Sequence, residues 1–239
     1  MRADPALIWA YLTQGPLLWL VATLTAYALG DACFRATGRQ SWANPVLIAV
    51  ALLGGLLIGT GTDYSTYFQG AQFVHFMLGP ATVCLAIPMA DNLPRMRRAV
   101  LPIAAGLVAG SLVAVVSALA IARGFGLPQD ALASLAPKST TAPVAIGISE
   151  RLGGLPTVTA MLVLMTGVFG AIVVTPLFNL LGLRDWRARG LAVGTAAHGI
   201  GTARALQVNP TAGAFAGIGM GLNAVLTALI APLVMRLFE

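Results

Sequence analysis

The sequence predicts an all-α integral membrane protein, a polytopic helix bundle with inverted repeats and with discontinuous or re-entrant helices at mid-membrane. Three observations carry that expectation. Hydrophobic residues fill 58% of the 239 positions and charged residues only 9%, against roughly 25% charged in an ordinary soluble domain. Apolar runs long enough to cross a hydrocarbon core of about 30 Å recur along the chain, and the mean hydropathy is +0.85. Polar stretches broken by Pro and Gly interrupt those runs at a few defined places.

Runs bounded by charges and Gly/Pro clusters place spans at 16–37, 44–60, 70–91, 99–123, 156–182 and 212–237. Two further stretches, 139–152 and 190–206, are shorter or more polar and hold ionisable residues in an apolar context. They are expected to be discontinuous. Nothing is left over for a separate soluble domain, so 1–239 reads as one membrane domain with an N-terminal span in 1–43. After Met1-Arg-Ala-Asp-Pro5 no small-residue cleavage site follows a short apolar core, so the first helix is expected to remain as a span. The net charge of +6 sits in short connections, which suits anionic lipid headgroups and not nucleic acid. Cys33 and Cys84 lie within apolar runs and read as small hydrophobes. Neither a metal nor a cofactor is expected.

Lys and Arg collect on the cytoplasmic side of membrane proteins. Arg35 and Arg39 follow the first span, Arg95, Arg97 and Arg98 the third, and Arg184, Arg187 and Arg189 the 156–182 span. Placing all three clusters inside, with the N-terminus outside, requires segment 124–155 to return to the side it left. There is also weak internal similarity. Asn44-Pro-Val46 followed by Gly54-Gly55 resembles Ala142-Pro-Val144 followed by Gly153-Gly154. A gapless shift of 115 places Gly79, Ala81, Ile103, Gly106, Leu107 and Ala109 on Gly194, Ala196, Ile218, Gly221, Leu222 and Ala224. Two repeats follow, 44–123 and 139–237.

The most unusual segment is Leu135-Ala-Pro-Lys-Ser-Thr-Thr-Ala-Pro143. Two prolines six residues apart preclude an undisturbed helix, and backbone freed inside a bilayer must line a cavity or find partners. Lys138, Ser139, Thr140 and Thr141 therefore read as a polar pocket, with the next helix directing its N-terminal amides there. That combination suits a carboxylate. The plainer alternative is an interfacial loop in which Lys138 snorkels to headgroups and a hydroxyl caps the helix.

The second segment is Gly194-Thr-Ala-Ala-His198-Gly-Ile-Gly201-Thr202-Ala-Arg204. Its glycines permit unwinding or close helix contact. Arg204 is a candidate carboxylate clamp and His198 a candidate for proton coupling; their plainer readings are a snorkelling Arg and a packing His. Gly79-Pro-Ala-Thr82-Val-Cys-Leu-Ala-Ile-Pro88 reads as the first-half counterpart, with Thr82 offering a hydroxyl. Tyr64, Tyr67, Phe68 and Gln69 suit an aromatic belt. His75 and Glu150 are not assigned as ligands. No phosphate loop, nucleophile elbow or carboxylate pair is present, so no catalytic residue is named. The reading is a carrier of a small organic anion and not an enzyme.

Taken together, Gly79–Pro88, Pro137–Pro143 with Ile148-Ser-Glu150, Thr166-Gly-Val-Phe-Gly-Ala171 and Gly194–Ala205 resemble the LrgB/CidB family over about residues 40–239. The family pattern has Ser where Ala197 stands and Ala where Gly199 stands, which puts any ligand role at 197 in doubt. The resemblance implies a multi-pass protein of the bacterial inner (cytoplasmic) membrane, similar to transporters with inverted repeats and crossed, broken helices. Members are called antiholin-like or murein-hydrolase regulators and are usually encoded beside a small LrgA/CidA-type membrane partner. Similar plastid proteins carry glycolate and glycerate, and some bacterial relatives are linked to pyruvate uptake. The expected function is secondary transport of such monocarboxylates, coupled to H⁺ or Na⁺, by a homodimer as is common in transporters of this build. The site would be Lys138, Ser139, Thr140, Thr141, His198, Gly201, Thr202, Arg204 and Thr82. The other expectation is a regulator of murein hydrolase activity and lysis acting with the small partner.

Overall fold

The computed structural model describes residues 15–77 and 93–238, with positions 80, 83, 84, 87 and 90 between them. Thr82, and with it most of the Gly79–Pro88 motif and the 70–91 span, lies outside the described residues. Those that are described form ten α-helices and no strand, in two compact units, Met1–Cys84 and Leu85–Glu239.

The first unit holds α1 (Pro16–Ala36), α2 (Pro45–Thr60) and α3 (Tyr64–Phe76). Asn44 starts α2 by accepting from the Val46 and Leu47 amides, at 2.8 and 3.3 Å, with Pro45 at the first helical position, where its missing N–H costs nothing. Gly30 lets α1 approach Pro45 closely, and Gly70 lets α3 pack onto Pro16 and Leu20. Trp19, fully buried, meets Tyr67 edge-on at 5.9 Å. Tyr67 is half-buried against α1, while Tyr64 and Phe68 are exposed. Cys33 and Cys84 are free and exposed.

The second unit holds α4 (Leu93–Arg98), α5 (Val100–Gly124), α6 (Gln129–Leu135), α7 (Ala142–Arg151), α8 (Pro156–Leu180), α9 (Trp186–Val208) and α10 (Pro210–Met235). Helices α1, α5, α8 and α10 are long and apolar enough to cross a membrane. They leave large side chains bare, such as Leu101 at 80%, Phe169 at 68% and Leu233 at 63% exposure, which is stable where lipid replaces water. At 16 residues, α2 reaches only about 24 Å at 1.5 Å per residue. The chain is a polytopic, all-α membrane protein.

Glycine contacts fix the helix directions in the second unit. Side chains added at Gly190 and Gly194 would overlap the Ala212 and Ala216 carbonyls, so the start of α9 runs parallel to α10 at backbone contact. Gly106 meets Leu191 and Gly110 meets Thr195, so α5 is parallel to both. Arg98, before α5, and Arg184, after α8, line one groove with Thr211 at the start of α10. Helix α8 therefore crosses in the opposite sense, and these ends share one face.

Helix α9 is not a straight rod. Ala197 (φ −127°, ψ 19°) and His198 (φ 40°, ψ −135°) leave helical geometry, and a Cβ at Gly201 would lie 3.1 Å from the Val193 carbonyl. Residues eight apart in a straight helix are about 12 Å apart. The chain folds back at 197–198, so arm 199–208 returns to the face from which arm 186–196 entered. Trp186 and Val208 accordingly line the same small cavity.

A second hairpin comes from the opposite face. Helices α6 and α7 have 7 and 10 residues, too few to span, and Pro137 and Pro143 bracket the turn between them. Its base is pinned by polar bonds: the Leu155 amide donates to Ser134 Oγ at 2.7 Å, and the Thr159 hydroxyl reaches Ser149 Oγ at 2.7 Å and the Ser134 carbonyl at 3.2 Å. Leu119, Leu132, Ile148 and Val234 form the apolar core at that end. Segment 124–155 thus returns to the side it left, as the arginine clusters require.

Candidate functional site

The two hairpin tips meet at Asn223. This side chain is fully buried and stands near the midpoint of the 26-residue α10. Its Nδ2 donates to the Ser139 carbonyl at 3.2 Å, in the first tip, and to the Thr195 carbonyl at 3.0 Å, beside the second. Its Oδ1 accepts from Ser111 Oγ at 2.5 Å, near the middle of α5, and from Thr227 Oγ1 at 3.3 Å. All four hydrogen-bonding positions of the amide are used. Asn223 is therefore a clamp holding two interrupted backbones together, with no valence left for a ligand.

Around the clamp, the sequence-nominated residues fall in distinct places. Ser139 is buried and Lys138 is half-buried, its Nζ 3.4 Å from Ser139 Oγ. Thr140 is fully buried and donates to the Pro137 carbonyl at 3.0 Å, closing the turn. Thr141 occupies the N-cap position of α7, but its side chain makes no capping bond. The hydroxyl-cap alternative therefore does not describe this residue, and the first amides of α7 keep their outward donors.

His198 is buried in the second tip, with Nε2 at 2.9 Å from the Val163 carbonyl. A carbonyl only accepts, so Nε2 carries a proton, and in the neutral ring Nδ1 is the unprotonated nitrogen. The Thr202 hydroxyl donates to the His198 carbonyl at 2.8 Å. These two bonds hold a non-glycine residue at positive φ, a conformation kept only where surroundings over-determine it. Gly167 is required opposite the ring, because a Cβ there would lie 2.6 Å from His198 Cε1. Gly201 is pressed against Val193 and Ala197.

Arg204 stands apart from this group. Buried, and six residues beyond the tip, it lines a cavity of about 30 Å³ between the arms of α9 and α8, with Val193, Ala205 and Arg189. That is room for about one water. Arg189 covers the cavity from outside: its guanidinium lies 4.9 Å from the Trp186 ring centroid and 5.7 Å from that of Phe178, and donates to Asn179 Oδ1 at 2.8 Å and the Leu183 carbonyl at 2.5 Å. Both hairpin tips and this covered cavity lie on one stretch of sequence, and that stretch is what known proteins share. The LrgB-like family matches residues 23–237.

The chain belongs to the LrgB-like family. A Staphylococcus epidermidis relative named holin-like protein CidB is 34% identical over 82% of this chain and 85% of its own length. Two Bacillus subtilis relatives, named uncharacterized protein YwbG and uncharacterized protein YxaC, are 34% and 36% identical over 80% and 82% of this chain and 85% of theirs. No solved structure matches significantly. Position 197 of this LrgB-like chain is sterically confined, and position 199 is not. A Cβ at Gly170 would overlap that of Ala197, and a Cβ at Gly199 would meet only Met220 Sδ, at 3.8 Å.

Sequence reasoning missed Asn223, Ser111 and Thr195. A signal for the first was available. Between Thr211 and Thr227, Asn223 is the single polar side chain of α10, and a lone amide in an otherwise apolar span is costly without a partner.

Proposed function

We propose that this chain carries small monocarboxylates, such as glycolate, glycerate or pyruvate, across the bacterial inner membrane, with H⁺ or Na⁺ moving alongside. The supporting observation is the convergence of two re-entrant hairpins, one from each face, on Asn223 near the middle of α10. Interrupted backbone at membrane depth is stable where it is buried in protein or lines a polar cavity, and transporters place substrate and coupling-ion sites at such breaks. Each tip joins the C-terminus of one helix to the N-terminus of another. The N-termini favour a carboxylate and the C-terminal carbonyls a cation.

In this reading Lys138 supplies the charge that neutralises the carboxylate, the Ser139–Thr141 turn and the first amides of α7 orient it, and His198 is the coupling group. Arg204, in the covered cavity six residues beyond the second tip, is assigned in this reading to drawing the anion toward the tips. No bond of the substrate is broken, and no cofactor is needed. The test is uptake of labelled glycolate and pyruvate into proteoliposomes under an imposed pH gradient. Saturable uptake is expected, at least 10-fold weaker in Lys138→Ala, where a charged hydrogen bond of about 1.5–3 kcal/mol is lost. His198→Gln is expected to lose the response to the gradient. Absence of saturable uptake, or uptake unchanged in both variants, contradicts the proposal.

A second reading rests on the comparisons, which favour it: relatives at 33–34% identity are named holin-like proteins. On that reading the chain regulates murein hydrolase activity and lysis together with a small LrgA/CidA-type membrane partner. It predicts stable co-purification with that partner, a change in lysis when the chain is deleted, and lysis control that survives Lys138→Ala. The carrier reading predicts that any lysis phenotype is lost together with uptake.

A further inference from the structure

The arginines of the second unit are not spread evenly over its surface. Arg98, Arg184 and Arg187 line one open groove of about 640 Å³ with Asp185, Trp186 and Thr211. Three crossing helices put it there: Arg98 lies two residues before α5, Arg184 and Asp185 lie in the connection from α8 to α9, Trp186 and Arg187 open α9, and Thr211 is in the first turn of α10. The rim therefore lies at the depth where hydrocarbon gives way to headgroups.

We propose that this groove binds the headgroup of an anionic phospholipid. The single carboxylate in it is already engaged. Asp185 caps α9 by accepting from the Arg187 amide at 2.8 Å and pairs with the Arg187 guanidinium at 2.7 Å. Those bonds hold its pKa down to about 2, so it stays ionised and cancels one arginine. Arg98 and Arg184 remain, and among the described residues neither is in an ion pair. Two planar guanidinium forks across a groove suit phosphodiester oxygens better than a point charge does.

The neighbourhood favours a lipid over free phosphate. Leu101, the second residue of α5, is 80% exposed, and Leu180 and Leu181, at the end of α8, are 85% and 59% exposed. Acyl chains attached to a headgroup in the groove would cover these leucines, while the Trp186 indole sits at the interface. A basic pocket between span ends on the face rich in arginine is a known way of holding such lipids.

Native mass spectrometry of the detergent-purified full chain tests this, using cardiolipin, phosphatidylglycerol and phosphatidylcholine as probes. The two anionic lipids are expected to be retained and phosphatidylcholine lost. The Arg98→Gln/Arg184→Gln double variant is expected to bind them about 10- to 30-fold more weakly. Arg151→Gln/Arg236→Gln removes equal charge at the opposite face and is expected to change nothing. If the first variant does not fold, Arg98→Lys/Arg184→Lys keeps the charge, loses the fork, and is expected to weaken binding several-fold. Equal retention of phosphatidylcholine, or undiminished binding in the folded groove variants, overturns the proposal. So does displacement of the lipid by low-millimolar inorganic phosphate, which would assign the groove to a free anion.

Discussion

Asn223 carries more structural consequence than any residue the sequence nominated for chemistry. Asn223→Ala removes four bonds and leaves the Ser139 and Thr195 carbonyls without their buried donor. A cost of about 2–4 kcal/mol is expected, since a buried polar group stripped of its partner costs roughly 1–3 kcal/mol, read as a drop of several degrees in Tm in detergent. Gly194→Ala is expected to be comparably harmful, because the new methyl would overlap the Ala216 carbonyl and force α9 off α10. Gly147→Ala meets nothing within 4 Å and is expected to be neutral or slightly stabilising. Asp185 gives a pH dependence of defined sign. Its carboxyl is held near 2, below its ordinary value of 3.8, so its contribution is complete above about pH 4 and lost as the pH falls through 2. Half-exposed pairs of this kind are worth little. The expected outcome is therefore a start of α9 unchanged from pH 5 to 8 by hydrogen exchange, and loosened only below about pH 4.

At the scale of elements, the broken segments were legible and their partner was not. Paired prolines at 137 and 143 and clustered glycines at 194, 199 and 201 marked both interruptions, because those residues act on local backbone geometry. The positive-inside count even required 124–155 to turn back. What one sequence does not encode locally is that α9 folds at His198 instead of merely kinking, since positive φ there is imposed by Val163 and Thr202. The site of contact, Asn223, lies 84 residues from Ser139 and 28 from Thr195, beyond any periodicity argument. Arg204 shows the reverse case: its motif neighbours suggested the tip, and the returning arm carries it instead to the covered cavity. The hairpin itself is testable. Single cysteines at 184 and 209, with Cys33 and Cys84 replaced by Ser, are expected to react with an impermeant maleimide from the same face of the membrane. A straight α9 would place them on opposite faces.

For the whole molecule, composition alone settled the solvent. With 9% charged residues and apolar runs throughout, only a bilayer accommodates the side chains that α5, α8 and α10 leave exposed. From Val100 onward the chain makes three full crossings and two half-crossings, and the half-crossings bring the Ser139 and Thr195 carbonyls onto Asn223. Asn223 makes that arrangement specific, because the clamp is complete only when both tips are in place. Its most direct test is oxidative cross-linking of Ser139→Cys/Thr195→Cys in membranes, in a chain with Cys33 and Cys84 replaced by Ser and a protease site in the α8–α9 connection. A Ser111→Cys/Asn223→Cys pair shows that the oxidant reaches the middle of the bundle. Fragments joined across positions 139 and 195 are expected. If the control pair joins and the 139–195 pair does not, the hairpins do not meet, and the central site is wrong.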